Sequence, residues 1–350
     1  NMAYTTINKS TEHFNTKLYT GNGTAIGSGG NGITGVGFQP DWVWIKDRST
    51  TNHHNLFDVV RGVTKGLQSS QTNAEYTNAE TVTAFGTDGF TVGDAGGVNT
   101  NSNNYVAWNW KAGGSQGSSN TDGSINTTYT SVNTTAGFSI SKYSGTGSNA
   151  TIGHGLGVAP KMVIVKRLTG GADWVVGHDG MGWTKYIYLS ASSAQVTSAS
   201  AAWNDTAPTN SLFTVATNTQ VNASGSDYVA YCFAEKTGYS KFGSYTGNGN
   251  ADGTFVYTGF KPAFVLIKAT NAGENWFICD NKREGYNAEN NRLIPNLNNA
   301  EQSDSPIDIL SNGFKARETS SKVNGSSEPY IYMAFGQSLV GSNNVPCTAR

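Results

Sequence analysis

Gly37-Phe-Gln-Pro-Asp-Trp-Val-Trp-Ile-Lys46 is the stretch on which the fold turns. After the proline, Trp42 and Trp44 fall on one face of an alternating run, with Val43 and Ile45 on the other. Period-two alternation of aromatic and β-branched residues predicts a strand. Both faces are apolar, so the strand belongs in the middle of a sheet with cover on each side. Proline fits its entrance, where no ladder donor is lost. The same phrase returns as Gly157-Val-Ala-Pro-Lys-Met-Val-Ile-Val-Lys166 and as Gly259-Phe-Lys-Pro-Ala-Phe-Val-Leu-Ile-Lys268.

Other landmarks recur around it. Tyr19-Thr-Gly-Asn-Gly, Tyr143-Ser-Gly-Thr-Gly and Tyr245-Thr-Gly-Asn-Gly precede the central run. Val98-Asn99, Val221-Asn222 and Val323-Asn324 follow it. Tyr105-Val-Ala-Trp-Asn-Trp110, Tyr228-Val-Ala-Tyr-Cys-Phe233 and Tyr330-Ile-Tyr-Met-Ala-Phe335 close each copy. Between copies two and three the landmarks keep one offset (245 − 143 = 102 for the first tyrosine). A period this long is a whole domain rather than a solenoid unit. The expected organisation is an N-terminal arm and first repeat over 1–111, a Gly/Ser/Asn/Thr linker or surface strand over 112–136, repeats over 137–237 and 238–337, and a tail over 338–350.

The closing run puts Val106, Trp108 and Trp110 on one face and Tyr105, Ala107 and Asn109 on the other. This predicts a sandwich strand with one core face. Gly89-Phe90, Leu212-Phe213 and Gly313-Phe314 mark one further strand per copy. The fold class is therefore all-β: three tandem β-sandwich, jelly-roll-like repeats with few short helices. A short helix is expected near 73–81 and near 298–303.

Charged residues are 13% of the 350, with a formal net charge of −1, which gives no electrostatic case for nucleic acid or an anionic membrane. The eight Trp, fifteen Phe and sixteen Tyr recur at ordered spacings and argue against disorder. Cys232, Cys279 and Cys347 are too scattered for a disulfide framework or a zinc knuckle. Cys232 alternates with Tyr231 and Phe233 and reads as a small buried hydrophobe. The apolar runs are short of a membrane span, and no secretion signal is visible at Met2-Ala-Tyr-Thr-Thr.

Several residues could carry chemistry. A lysine ends the central run in each copy (Lys46, Lys166, Lys268), and an aspartate follows at Asp58, Asp179 and Asp280. These form either a ligand-binding charge site or, the preferred reading, a recurrent structural charge pair. His178-Asp179 lacks a nucleophile elbow or a counterpart in the other copies. His53-His54 reads as an exposed loop pair rather than a metal site. Asn248-Gly-Asn250-Ala-Asp252-Gly253 resembles half a calcium loop, but Gly259 stands where the closing Glu should be, and a glycine turn is the better reading. Trp183 and Trp203 lie in copy-specific loops. They either stack on sugar rings at the surface or pack over a sandwich end. No catalytic, cofactor or metal residues emerge.

Met2-Ala-Tyr-Thr-Thr-Ile-Asn-Lys-Ser, Phe14-Asn-Thr-Lys-Leu-Tyr-Thr-Gly-Asn-Gly, His154-Gly-Leu-Gly-Val-Ala-Pro-Lys-Met and Gly238-Tyr-Ser-Lys-Phe-Gly-Ser-Tyr-Thr-Gly-Asn-Gly, with the runs above, resemble virion structural proteins of marine tailed phages. These are common in cyanophages and carry a domain of unknown function. The resemblance implies a non-enzymatic particle protein, either tail-fibre or tail-associated adhesin or capsid decoration. It implies virion localisation after assembly in the host cytoplasm, with other virion proteins as partners in a symmetric homo-oligomeric assembly, and a host-surface glycan as a further partner. Neither nucleic acid nor membrane is expected as a partner. The segment 3–14 is expected to be a docking arm. The alternative is a carbohydrate-binding module protein of a cell surface or secreted system.

Overall fold

The computed structural model describes residues 4–340 except 198, 285 and 288. The chain is almost wholly antiparallel β. Three main sheets share one arrangement. In each, an opening strand (Phe14–Thr20, Phe138–Ser144, Ser240–Thr246) pairs with a closing strand (Asn104–Trp110, Asp227–Phe233, Pro329–Gln337). The closing strand pairs in turn with the central strand (Trp42–Asp47, Met162–Arg167, Lys261–Ala269), and that with Asn55–Asp58, Val175–His178 or Phe277–Asp280. The proline reading holds in two copies, where Pro40 and Pro160 precede their strands; Pro262 instead lies inside its strand, at a register irregularity. Among the described residues no helix is long and apolar enough to cross a membrane.

Each main sheet is faced by a smaller one, giving three sandwich units. Unit 1 closes Val43, Ile45, Phe57, Tyr105 and Ala107 against Ile33, Val82, Phe90 and Val92. Units 2 and 3 close equivalent cores around Val163, Val165, Phe213 and Val215, and around Val265, Ile267, Ile309 and Phe314. The opposite faces of the three main sheets meet in one further core. It joins Trp42, Trp44, Trp108 and Trp110 to Met162, Ile164, Tyr231 and Phe233, and to Phe264, Leu266, Met333 and Phe335. Trp42 stacks on Tyr231 with centroids 4.5 Å apart, and Trp110 meets Phe264 and Phe335 edge-on at 5.5 and 5.8 Å.

The shared core explains why the central strand is apolar on both faces, and it corrects the expectation for the closing strand. That strand has two core faces. Its large side chains fill the space between units, and its smaller ones fill the sandwich. Burying both faces of the central and closing strands takes them out of water, the dominant stabilising contribution at about 25 cal/mol per Å2 of apolar surface.

The expected helices are absent from 73–81 and 298–303, which hold the strand Tyr76–Thr77 and the start of Gln302–Leu310. The short helices fall instead at Gly96–Asn99 and Thr219–Asn222, the Val-Asn landmarks. Part of 112–136 is an edge strand, Tyr129–Asn133, paired with the opening strand of unit 2. The N-terminal segment docks within the chain. Ile7 is buried, Tyr4 donates to the Gly259 carbonyl, and Ser10 N–H donates to Gln337 Oε1 at 2.7 Å. Of the expected tail, 341–350 lies outside the described residues.

The units close into a ring. Glu75 N–H donates to the Leu168 carbonyl, Gln195 N–H to Thr270, and Glu301 N–H to Arg48, at 3.0, 2.7 and 3.0 Å. These are one contact made three times: unit 1 to 2, 2 to 3, and 3 back to 1. The last is reinforced by a bidentate Arg48–Glu301 pair at 2.8 Å.

Candidate functional site

The recurrent tyrosines and asparagines build one structural staple three times. Tyr19, Tyr143 and Tyr245 stack on Tyr105, Tyr228 and Tyr330 at 5.0, 5.2 and 4.8 Å. The first of each pair donates its hydroxyl to the carbonyl of Val98, Val221 or Val323. The second donates to Gly96, Thr219 or Ser321 while accepting from the N–H of Thr100, Ala223 or Gly325. Beside them Asn99, Asn222 and Asn324 are fully buried. Asn222 accepts from Thr146 N–H and donates to the carbonyls of Ser148 and Ala216. The side-chain amide thus satisfies the backbone of the Tyr-x-Gly-x-Gly turn, which has no ladder partner there.

The lysines and aspartates of the central run do not pair. Each lysine is fully buried and donates to backbone carbonyls: Lys46 to Asp47 and Thr50, Lys166 to Arg167 and Thr72, and Lys268 to Ala269, Ala272 and Ser192. Burial pulls all three ammonium groups down to about 8. The spacing also misplaced one aspartate. Ladder register sets Asp58, His178 and Asp280 opposite Trp42, Met162 and Phe264. Asp179 lies one residue further on, at the surface, paired with Lys161 at 2.8 Å.

Those three in-register residues sit at the unit junctions. Asp58 is buried against Arg61 (Nε to Oδ2 2.5 Å) and accepts the hydroxyl of Tyr231 from unit 2 at 2.7 Å. Asp280 is buried against Arg283 (2.6 Å) and accepts the indole N–H of Trp108 from unit 1 at 3.0 Å. Burial raises the Asp280 carboxyl, but the Arg283 guanidinium and the N–H donors outweigh it and hold the pKa below the usual value. At the third junction Met333 stands where Tyr231 and Trp108 stand, and a thioether has no proton to give. Unit 2 accordingly carries neutral His178 and Met181 in place of Asp and Arg. His178 contacts the Tyr332 carbonyl of unit 3 at 3.0 Å, and burial lowers its pKa to about 4.

Trp183 and Trp203 are not at the surface. They are 7% and 1% exposed and meet edge to face at 5.9 Å inside the unit 2 sandwich. Gly177 makes the room: a Cβ there would lie 2.4 Å from the Trp183 ring. The glycan-contact expectation for these two residues is therefore corrected. His54 is likewise buried, accepting the Trp44 indole N–H at 2.9 Å, while His53 is half-buried beside Ser70. The turn reading of 248–253 fits: Asn248 and Asn250 accept from backbone N–H two residues on, and Asp252 pairs with Lys315. Cys232 and Cys279 are buried and belong to no disulfide. Among the described residues no group of three or more His, Cys, Asp or Glu could hold a metal.

One concave polar feature remains outside this framework. A cleft of about 250 Å3 in unit 1 is lined by side chains that include Asn52, His53, Asn55, Gln68, Tyr76 and Asn78. Nothing in the sequence singled it out, apart from His53, which lines it.

No curated protein and no solved structure matches the chain. A family profile does, across residues 9–338, nearly the whole ring. The chain thus belongs to the family described as the domain of unknown function DUF7483.

Proposed function

We propose that this chain is a non-enzymatic structural protein of a phage particle, a tail-fibre or tail-associated component or a capsid decoration. The resemblance to virion proteins of marine tailed phages motivates the reading. The observation that carries it is the ring, in which three units built on the same main-sheet arrangement stand side by side in one chain. Such a block docks onto symmetric neighbours through repeated patches. A charge-poor polar exterior suits it to salt water, where long-range attraction between proteins is screened. Its partners are other virion proteins, with copies of the chain arranged symmetrically, and its location is the particle.

Immunogold labelling and mass spectrometry of purified virions test this. The expected outcome is the chain in stoichiometric amount at a fixed place on the particle. Its absence from purified particles overturns the reading. The carbohydrate-binding alternative loses its residues with the burial of Trp183 and Trp203. Host-surface glycan contact is then a matter for other parts of the surface.

A further inference from the structure

We propose that the polar cleft of unit 1 is a binding site for a neutral sugar ring, built by removing side chains that the other two units keep. Ladder register aligns the three units position by position. Asn55 occupies the place of Val175 and Phe277. Gly66 occupies the place of Tyr186, each sitting opposite the residue (Tyr76 or Val196) that begins the next strand. Gly96-Gly97 precede Val98-Asn99 where Thr219-Gln220 precede Val221-Asn222 and Ser321-Lys322 precede Val323-Asn324.

In units 2 and 3 this corner is filled. Gln220 Nε2 reaches across it to Asp173 Oδ2 at 3.1 Å, and the hydroxyls of Tyr186 and Tyr188 lie 3.3 Å apart. In unit 3 the Arg292 guanidinium covers the Phe277 ring at 4.8 Å. In unit 1 both positions are glycine; the Tyr76 ring lies over Gly66 and the Asn55 amide over Gly97, so polar groups line the corner and the cleft opens beside them.

What lines the cleft is set for hydroxyl groups. Asn55 is 3% exposed at a position that is hydrocarbon in both other units. It is held rigidly. Its Nδ2 donates to the carbonyls of His53 and Gly97, and its Oδ1 accepts from Tyr76 at 2.8 Å and Gln68 at 3.3 Å. Around it, Gln68 Oε1 and Asn52 Oδ1 accept no bond and Asn78 Nδ2 donates none, among the described residues.

Amides present an acceptor and donors a few ångströms apart, matching vicinal hydroxyls that both give and take protons. Tyr76 adds an aromatic wall for the C–H face of a ring. The lining carries no carboxylate, lysine or arginine, which favours a neutral over a charged ligand. The volume is below the usual range for drug-sized ligands and suits a single ring.

The proposal does not rest on a virion role. It is tested by ligand-observed NMR and calorimetry on the full chain. The probes are methyl glycosides of glucose, galactose, mannose and N-acetylglucosamine, with inorganic phosphate and glucuronate as charged controls. An oligosaccharide ending in the best ring distinguishes a free sugar from a glycan terminus. At least one neutral glycoside is expected to bind with a Kd on the order of 1 mM.

The variant Asn55→Val/Gly97→Gln restores the residues of unit 2 and is expected to weaken binding at least about tenfold while the chain still melts in one cooperative transition. Gln68→Ala, which touches only the rim, is expected to weaken it with the fold intact. No binding of any neutral glycoside at about twenty times that Kd, equal binding by both variants, or binding of the charged controls alone overturns the proposal.

Discussion

At two junctions the ring is locked by a buried carboxylate, an arginine and a donor from the next unit. At the third the same places hold His178, Met181 and Met333. This internal comparison yields a sharp prediction for Arg61. Its guanidinium holds Asp58 at 2.5 Å and also donates to the carbonyls of Leu56 and Lys65. Arg61→Met leaves the buried Asp58 carboxyl without its guanidinium, with the Tyr231 hydroxyl as its remaining side-chain donor. Breaking one partner of a buried pair costs about 3–5 kcal/mol, whereas exchanging the whole pair for neutral groups is often close to neutral.

The triple variant Asp58→His/Arg61→Met/Tyr231→Phe imports the neutral chemistry of the third junction and keeps the ring that stacks on Trp42. It is expected within about 2 kcal/mol of the natural chain, clearly above the single variant. Urea unfolding followed by tryptophan fluorescence reads both differences. A single variant costing under about 1 kcal/mol, or a triple variant as damaged as the single, would refute the reasoning.

Two further expectations follow from buried groups. The folded pKa of Lys46, Lys166 and Lys268, about 8, lies below the ordinary 10.5. Between those values the unfolded chain binds more protons, so stability rises with pH. Each lysine contributes about 1.3 kcal/mol of that rise between pH 7 and 9. The buried Cys232 thiol and the tyrosines, pushed upward by burial, act in the opposite sense above that window. A denaturation midpoint that is flat or falls from pH 7 to 9 contradicts the burial of these lysines.

Trp203→Ala is expected to cost about 3–5 kcal/mol by emptying the unit 2 sandwich. If Trp203 lay at the surface instead, the change would leave thermal stability within about 0.5 kcal/mol.

Much of the fold was legible because the repeated phrases are demands of local geometry. The alternating central run reappears as the strand it suggested, and the tyrosine and Val-Asn landmarks, which marked the repeat but suggested no role, form the staples. The assembly of the units was not legible. Its contacts join positions far apart in the chain, and the closing strand reveals its second buried face only once the neighbouring sheet is present. The Lys–Asp spacing failed by one residue in unit 2, because a strand period of two makes Asp179 point away where His178 points in. Trp183 and Trp203 lie in segments with no counterpart in the other copies, so the sequence leaves open whether they face sugars or pack over a sandwich end. The signal that could have placed them is Gly177, a missing side chain where the other copies carry Phe57 and Cys279. The cleft left no trace as a motif, since it is made by glycines and by a single Asn in place of hydrocarbon.

The central claim is that three sandwiches form one ring around a shared aromatic core and cannot hold that core apart. Scanning calorimetry of the full chain tests it most directly. The account predicts one cooperative transition, with calorimetric and van't Hoff enthalpies equal, as for a single two-state body. Three separable transitions, or a calorimetric enthalpy about three times the van't Hoff value, would contradict it by showing units that unfold alone.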